Sequence, residues 1–302
     1  MTSRGFLLVV LASLALATRV LADDRLAVVT TTTDLRALVE VVGGERVSVT
    51  SLVPPGFDAE EYQPKPQDAA RLKRAKLAVR VGLDFDLWFD RLLAQAEAQL
   101  RRGGSGYVDA SYAIAALDVR GISVGPGDGH AHGNGNPHYW LDPKNADIVT
   151  GNILEGLARV DPANGKAYEE NRRAFLARLD QRLGEWEHKL AALAGVPLVA
   201  YHNSWAYFAR RFRLDFVGYL EPKPGIPPSA SRLAGLVESM RARNAKIVIR
   251  EPHEPAKDVN LLAQRTGAAV VVLGASVGAL PGADDYVSLF ETDIAALVAA
   301  KK

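Results

Sequence analysis

Short apolar segments alternate with amphipathic segments in both halves of the chain, and this alternation limits the possible folds most. The apolar segments span residues 26–32, 46–53, 76–82, 197–202, 215–220, 245–251 and 268–274. The intervening segments have helical patterns, and one of them, 84–100, is predicted as a single helix. Strands that alternate with helices form parallel βα units, so the sequence predicts an α/β protein.

A long helical stretch interrupts the alternation between residues 162 and 193. Asp161 is its expected N-cap and Pro162 its first residue. Its apolar side chains recur on one face, at Tyr168, Phe175, Leu179, Trp186, Leu190 and Leu193. A helix of this length spans roughly 45 Å, which suits a strut between two lobes. We therefore predict two parallel-sheet α/β lobes joined by one long rigid helix, with an N-terminal lobe at 23–158, the linking helix at 159–194 and a C-terminal lobe at 195–302.

The first residues have the pattern of a secretory signal peptide. Residues 1–22 combine a basic start at Arg4, an apolar stretch too short to span a membrane, and a small-residue cleavage pattern at 20–22. Cleavage there would begin the mature protein near Asp23 and change the formal net charge from +1 to −1. A nearly neutral exported protein has no electrostatic basis for binding nucleic acid.

The sequence contains no cysteine. This excludes disulfides, thiolate metal sites, cysteine nucleophiles and a lipidated N-terminal cysteine. We therefore expect a periplasmic protein that is not lipidated, in which any transition-metal site is built from histidines and carboxylates.

Carboxylates and histidines follow several of the predicted strands. Glu60 lies with Glu61 in a Pro/Gly-rich turn after the second strand, while His202 and Glu251 end strands of the second half. Ligands of open α/β sheets bind outside the carboxyl ends of the strands, so these side chains are expected to meet. Imidazole together with carboxylate suits Zn²⁺, and also Mn²⁺ or Fe²⁺. The residues thus indicate a metal ion in a cleft between the lobes, to which His138 is a further candidate ligand.

The other histidines are assigned lesser roles. His130 and His132 form an H-x-H pair in the Gly-rich segment 125–137, where they are either surface residues or auxiliary metal contacts. His188 lies on the polar face of the long helix and is expected to be solvated, and His253 fits a plain loop.

One short motif indicates catalysis but lacks its context. Residues 274–278 read G-A-S-V-G and match the nucleophile elbow of hydrolases. That elbow needs a helix directly after it and a later histidine, and the last histidine of this chain is His253. A serine hydrolase is therefore excluded.

Three longer stretches carry a family resemblance: NPHYWLDPKNA, YHNSWAYFARRF and IREPHEPAKDVNLLAQRTGA. With the segment around Glu60 and the long helix, they resemble the cluster A-I solute-binding proteins of ABC transporters, which deliver zinc or manganese to a membrane permease. The resemblance covers essentially the whole mature chain. It implies two α/β lobes bridged by a rigid helix, with the metal between them.

The resemblance also implies a ligand set with two departures. His138 matches the family's histidine before W-L-D-P, and His202 matches the position that is His in zinc members and Glu in manganese members. Glu60 stands where the family has its first histidine, which implies that it replaces an imidazole, with Glu61 as neighbour or alternate. The family's fourth ligand, often an Asp, falls on Ala275, which offers no donor.

The implied function is capture of a divalent metal without catalysis, by a monomer that docks on the permease of an ABC importer. His202 and the His-bearing loop favour zinc over manganese. Asp284 and Asp285 either move in as a fourth ligand or cap the last helix. Two alternatives stay open. One is a metal-free or different-solute relative with a degenerate site, and the other is a zinc-dependent enzyme with Glu61 or Glu251 as its base.

Overall fold

The computed structural model describes residues 25–118, 132–222 and 225–301. The predicted signal peptide and His130 lie outside these residues. In the part of the chain that is described, no helix is both long and apolar enough to cross a membrane.

The first lobe is built on a four-stranded parallel sheet. Its strands are β1 (Leu26–Thr30), β2 (Val47–Ser51), β3 (Leu77–Arg80) and β4 (Tyr107–Asp109), in the order β2-β1-β3-β4. Its helices are α1 (Thr33–Gly43), α2 (Pro66–Arg74), α3 (Phe89–Leu93) and α4 (Ala146–Val160). Because all four strands are parallel, their carboxyl ends lie at one edge of the sheet.

The second lobe repeats this plan. Its strands are β5 (Pro197–Ala200), β6 (Asp215–Tyr219), β7 (Ile247–Arg250) and β8 (Ala269–Val272), in the order β6-β5-β7-β8. Its helices are α6 (Ala206–Phe212), α7 (Ala230–Arg243), α8 (Ala256–Thr266) and α9 (Tyr286–Ala300). The strand order reverses beside β1 in one lobe and beside β5 in the other, which is where open α/β sheets leave a crevice for ligands.

One helix connects the two lobes. Helix α5 (Gly165–Leu190) has 26 residues, or about 39 Å, and continues short 3₁₀ turns at Pro162–Asn164 and Ala191–Leu193. All six apolar residues of the predicted face are buried. The helix packs against α1 and α4 of the first lobe and against α9 of the second. One continuous apolar core runs through both lobes along it, so the predicted architecture is confirmed, while the exact domain limits stay a prediction.

Two local predictions have different outcomes. Asp285 caps helix α9, because its carboxylate accepts the backbone N–H groups of Val287 and Ser288, both at 2.8 Å. The predicted helix at 84–100 is wrong in its length, since only α3 and a 3₁₀ turn at Ala98–Leu100 are helical there.

The late start of this helix is caused by a buried turn after β3. Asp86 accepts the backbone N–H groups of Val81 at 2.7 Å and Gly82 at 3.2 Å, and it pairs with the buried guanidinium of Arg80 at 2.9 Å. These bonds hold the chain in a left-handed conformation at Gly82 and the next two residues. Such a conformation is incompatible with an α-helix.

The packing of α5 can be tested at Trp186. Its indole is buried and stacks on Phe290 of α9 at a centroid distance of 5.2 Å. Trp186→Ala should lower the free energy of unfolding by about 3–5 kcal/mol, through lost burial and a cavity. His188→Ala, on the exposed face of the same helix, should change it by less than about 0.5 kcal/mol. Urea unfolding of both variants is the measurement, and equal midpoints would contradict this account of the strut.

Candidate metal centre

The carboxyl ends of both sheets face one cleft of about 400 Å³. The loop after β2 brings Glu60 to it, and the chain following β5 brings His202. His138 begins the 3₁₀ turn Tyr139–Leu141 that precedes α4, and it lines the same cleft. Side chains from distant parts of the sequence therefore converge between the lobes.

Glu60, His138 and His202 form one compact donor group. Each offers one ligand atom, and these atoms all lie within 4.8 Å of one another. The Oε1 atom of Glu60 is 3.3 Å from Nε2 of His138 and 3.8 Å from Nε2 of His202. Donors that share a tetrahedral zinc ion with bonds near 2.1 Å lie about 3.4 Å apart. In the described part of the chain, no other group of three His, Cys, Asp or Glu is as close.

Asn136 fixes the ring of His138. Its Oδ1 atom accepts the backbone N–H of His138 at 3.0 Å and lies 3.1 Å from Nδ1 of the ring. Its amide nitrogen donates to the carbonyl of Asn203 at 2.8 Å, which assigns the amide orientation. Nδ1 of His138 is therefore the protonated nitrogen, and the lone pair of Nε2 faces the cleft. Phe85 and Trp140 pack around the ring.

Glu221 fixes the ring of His202 in the same way. Its Oε2 atom lies 2.6 Å from Nδ1 of His202, so that Nε2 faces Glu60. A carboxylate behind a metal-binding histidine sets the tautomer and raises the basicity of the ligand.

The surroundings shift the pKa values of the two histidines in opposite directions. Complete burial lowers the pKa of His138 from 6.5 to about 4. Burial would also lower the pKa of His202, but the hydrogen bond with Glu221 and the negative charge of Glu60 outweigh it and raise that pKa above 6.5. His138 is thus neutral at pH 7, whereas His202 binds a proton more readily than a free imidazole does.

The predicted auxiliary residues are at different distances from this group. His132 belongs to the site, because its Nε2 atom is 2.8 Å from Oε2 of Glu60. Glu61 is exposed on the lining of the cleft. Glu251 is buried in the lining of the cleft, where it accepts the hydroxyl of Ser204 at 2.5 Å and lies 3.8 Å from His253. It is not one of the three mutually close donors.

Three further side chains at or beside the donor group were not predicted from the sequence. Asn136 and Glu221 orient the two rings, and the buried carboxylate of Asp34 lines the cleft. Glu221 could have been found, since it follows β6 just as the other candidates follow their strands. Ala275 lies at the cleft as expected, with its carbonyl accepting the indole N–H of Trp140 at 2.8 Å.

The fold and the donors together define a class of protein: two α/β lobes on a rigid helix, with histidines and a carboxylate between them, are typical of metal-binding solute receptors. The family of the periplasmic zinc-uptake complex component A, ZnuA, matches residues 28–300. The chain belongs to this family, whose members are metal-binding substrate-binding proteins of ABC transporters and not enzymes.

Individual relatives agree with this assignment. A protein of Treponema pallidum named for metal binding is 32% identical over 262 residues, covering 85% of this chain and 82% of that protein. The iron ABC transporter substrate-binding lipoprotein MtsA of Streptococcus pyogenes serotype M1 is 26% identical over 242 residues, covering 78% of this chain and 74% of that protein. A crystal structure of ZnuA superposes with a TM-score of 0.79 at 28% identity, covering 92% of this chain and 100% of that one.

The opposite pKa shifts predict how metal binding depends on pH. Affinity should fall by about tenfold per pH unit once His202 is protonated, beginning above pH 6.5, whereas His138 adds a second proton only near pH 4. Glu221→Gln removes the partner that holds the proton on His202, so the fall should begin at a lower pH. Chelator competition between pH 5 and 8 measures both profiles. A profile that is flat in this range, or that Glu221→Gln leaves unchanged, would contradict the assignment.

Proposed function

We propose that this protein is a periplasmic receptor that captures one divalent metal ion, zinc in preference to manganese, and delivers it to the permease of an ABC importer. The observation that carries the proposal is the convergence of Glu60, His138 and His202 on one point of the cleft. We propose that it acts as a monomer and binds no nucleic acid.

Each of the three donors is prepared for a cation. Asn136 and Glu221 hold the two imidazoles with Nε2 directed inward. Glu60 divides its oxygens, with Oε1 toward these rings and Oε2 toward His132. His132 would therefore act by orienting the Glu60 carboxylate, as the partners behind metal ligands do.

The preference for zinc rests on the type of donor. Two imidazoles among three donors suit zinc better than manganese, which favours oxygen ligands. The relatives differ in the metal for which they are named, iron for MtsA and zinc for the family. The metal is therefore proposed from the donors of this chain alone.

Capture would join the two lobes. Glu60 and His138 belong to segments of the first lobe and His202 to the second, so an ion held by all three links the lobes across the cleft. Release to the permease then requires that at least one of these bonds opens.

The alternative of a metal-free relative is favoured by Ala275, which leaves the site one carboxylate short.

Alanine variants test the proposed ligands. Glu60→Ala, His138→Ala and His202→Ala should each weaken zinc binding by more than about 100-fold, because each removes a donor from the ion. His132→Ala should weaken it by about 10–100-fold, since it only loosens Glu60. Glu61→Ala, which alters the neighbouring carboxylate, is the matched control and should change little. Competition with a fluorescent chelator is the measurement, and wild-type protein that binds no zinc would support the metal-free alternative.

Replacing the carboxylate tests the metal. Glu60→His gives the site three imidazoles and should keep or raise the affinity for zinc while lowering that for manganese. Calorimetric titration with each metal gives the ratio of zinc affinity to manganese affinity for the wild-type protein and for the variant. If wild-type protein binds manganese more tightly than zinc, the proposed preference is wrong, although the site itself would stand.

A further inference from the structure

The three proposed ligands leave the coordination of the ion incomplete. Zinc in a closed protein site takes four donors, and Glu60, His138 and His202 supply three. Ala275 follows β8 and lines the cleft, its side chain offers no donor, and its carbonyl accepts the indole N–H of Trp140. The second lobe therefore provides no carboxylate at this place.

A carboxylate of the first lobe lies beside the same place. Asp34 is near the start of α1 and lines the cleft, with only 1% of its surface exposed. Its Oδ1 atom accepts the backbone N–H of Val277 at 2.9 Å, two residues after Ala275. Asp34 thus reaches across from one lobe to the segment of the other in which the carboxylate is lacking.

The second carboxylate oxygen of Asp34, Oδ2, makes no hydrogen bond with the described residues. It is buried as well. A buried carboxylate oxygen without a partner is unfavourable unless a cation or a proton compensates it. Burial, with a smaller contribution from Glu251, raises the pKa of Asp34 to about 7, so the group is readily neutralised by either.

We propose that Asp34 is the fourth protein ligand of the captured ion and replaces, from the first lobe, the carboxylate that is lacking at Ala275. This inference rests on the proposed function. Asp34 is outside the group of donors that lie within 4.8 Å of one another, so a local movement within the first lobe, which also carries Glu60 and His138, accompanies its binding. Oδ1 keeps the contact with Val277 while Oδ2 binds the ion.

The test compares two buried aspartates. Asp34→Asn keeps an oxygen for the N–H of Val277 but removes the charged donor, and it should weaken zinc binding at least tenfold. Asp293→Asn is the matched control. Asp293 is also buried and accepts a backbone N–H, that of Gly274 at 2.8 Å, but it does not line the cleft. Its replacement should leave zinc affinity unchanged. Circular dichroism confirms that both variants are folded.

A second variant separates a ligand from a structural role. Asp34→Asn combined with Ala275→Asp moves the carboxylate to the other lobe. The double variant should recover at least half of the decrease in log Kd-based affinity for zinc that Asp34→Asn causes. X-ray absorption of zinc-loaded protein should show one oxygen donor fewer in Asp34→Asn than in the wild type.

The outcomes distinguish this inference from the proposed function. If Asp34→Asn binds zinc like the wild type while His138→Ala does not, Asp34 is only an interlobe contact and the proposed function stands. The same conclusion follows if Asp34→Asn weakens binding but the absorption spectrum keeps its oxygen donor and Ala275→Asp restores nothing. If the wild type itself binds no zinc, both fail.

Discussion

The carboxylate of Glu60 is the point at which three separate chain segments meet. One of its oxygens faces His138 and His202, and the other is 2.8 Å from His132. An imidazole at this position could not contact so many nitrogens at once, because it offers a single lone pair to the cleft. A carboxylate has two oxygens, so it can face His132 with one while the other faces the rings of His138 and His202, which Asn136 and Glu221 orient.

The scaffold makes this meeting possible. Two parallel sheets with the same strand order present their carboxyl ends to one cleft, and α5 fixes the distance between them through a core shared by both lobes. The surroundings of the two histidines give them different pKa values. Burial lowers the pKa of His138 and keeps it neutral, whereas Glu221 and Glu60 raise the pKa of His202. The cleft therefore holds one imidazole that stays neutral beside one that binds protons more readily.

Much of this architecture is predictable from the sequence, because the alternation of strands and helices and the apolar face of α5 are periodic patterns. The family motifs further indicate the three donors. The sequence could not indicate where the helix after β3 begins, since the buried bonds of Asp86 hold a turn at the start of the segment 84–100. Asn136 and Asp34 were also missed, because each acts through a contact that only the folded chain creates.

The central claim is that one ion binds between Glu60, His138 and His202, and locating that ion tests it most directly. Crystals of protein loaded with one equivalent of zinc, measured with anomalous diffraction at the zinc edge, give the position of the metal. The account predicts a single strong peak within bonding distance of Nε2 of both histidines and of the Glu60 carboxylate. A peak confined to surface residues, or no peak in the cleft at full zinc loading, would contradict it.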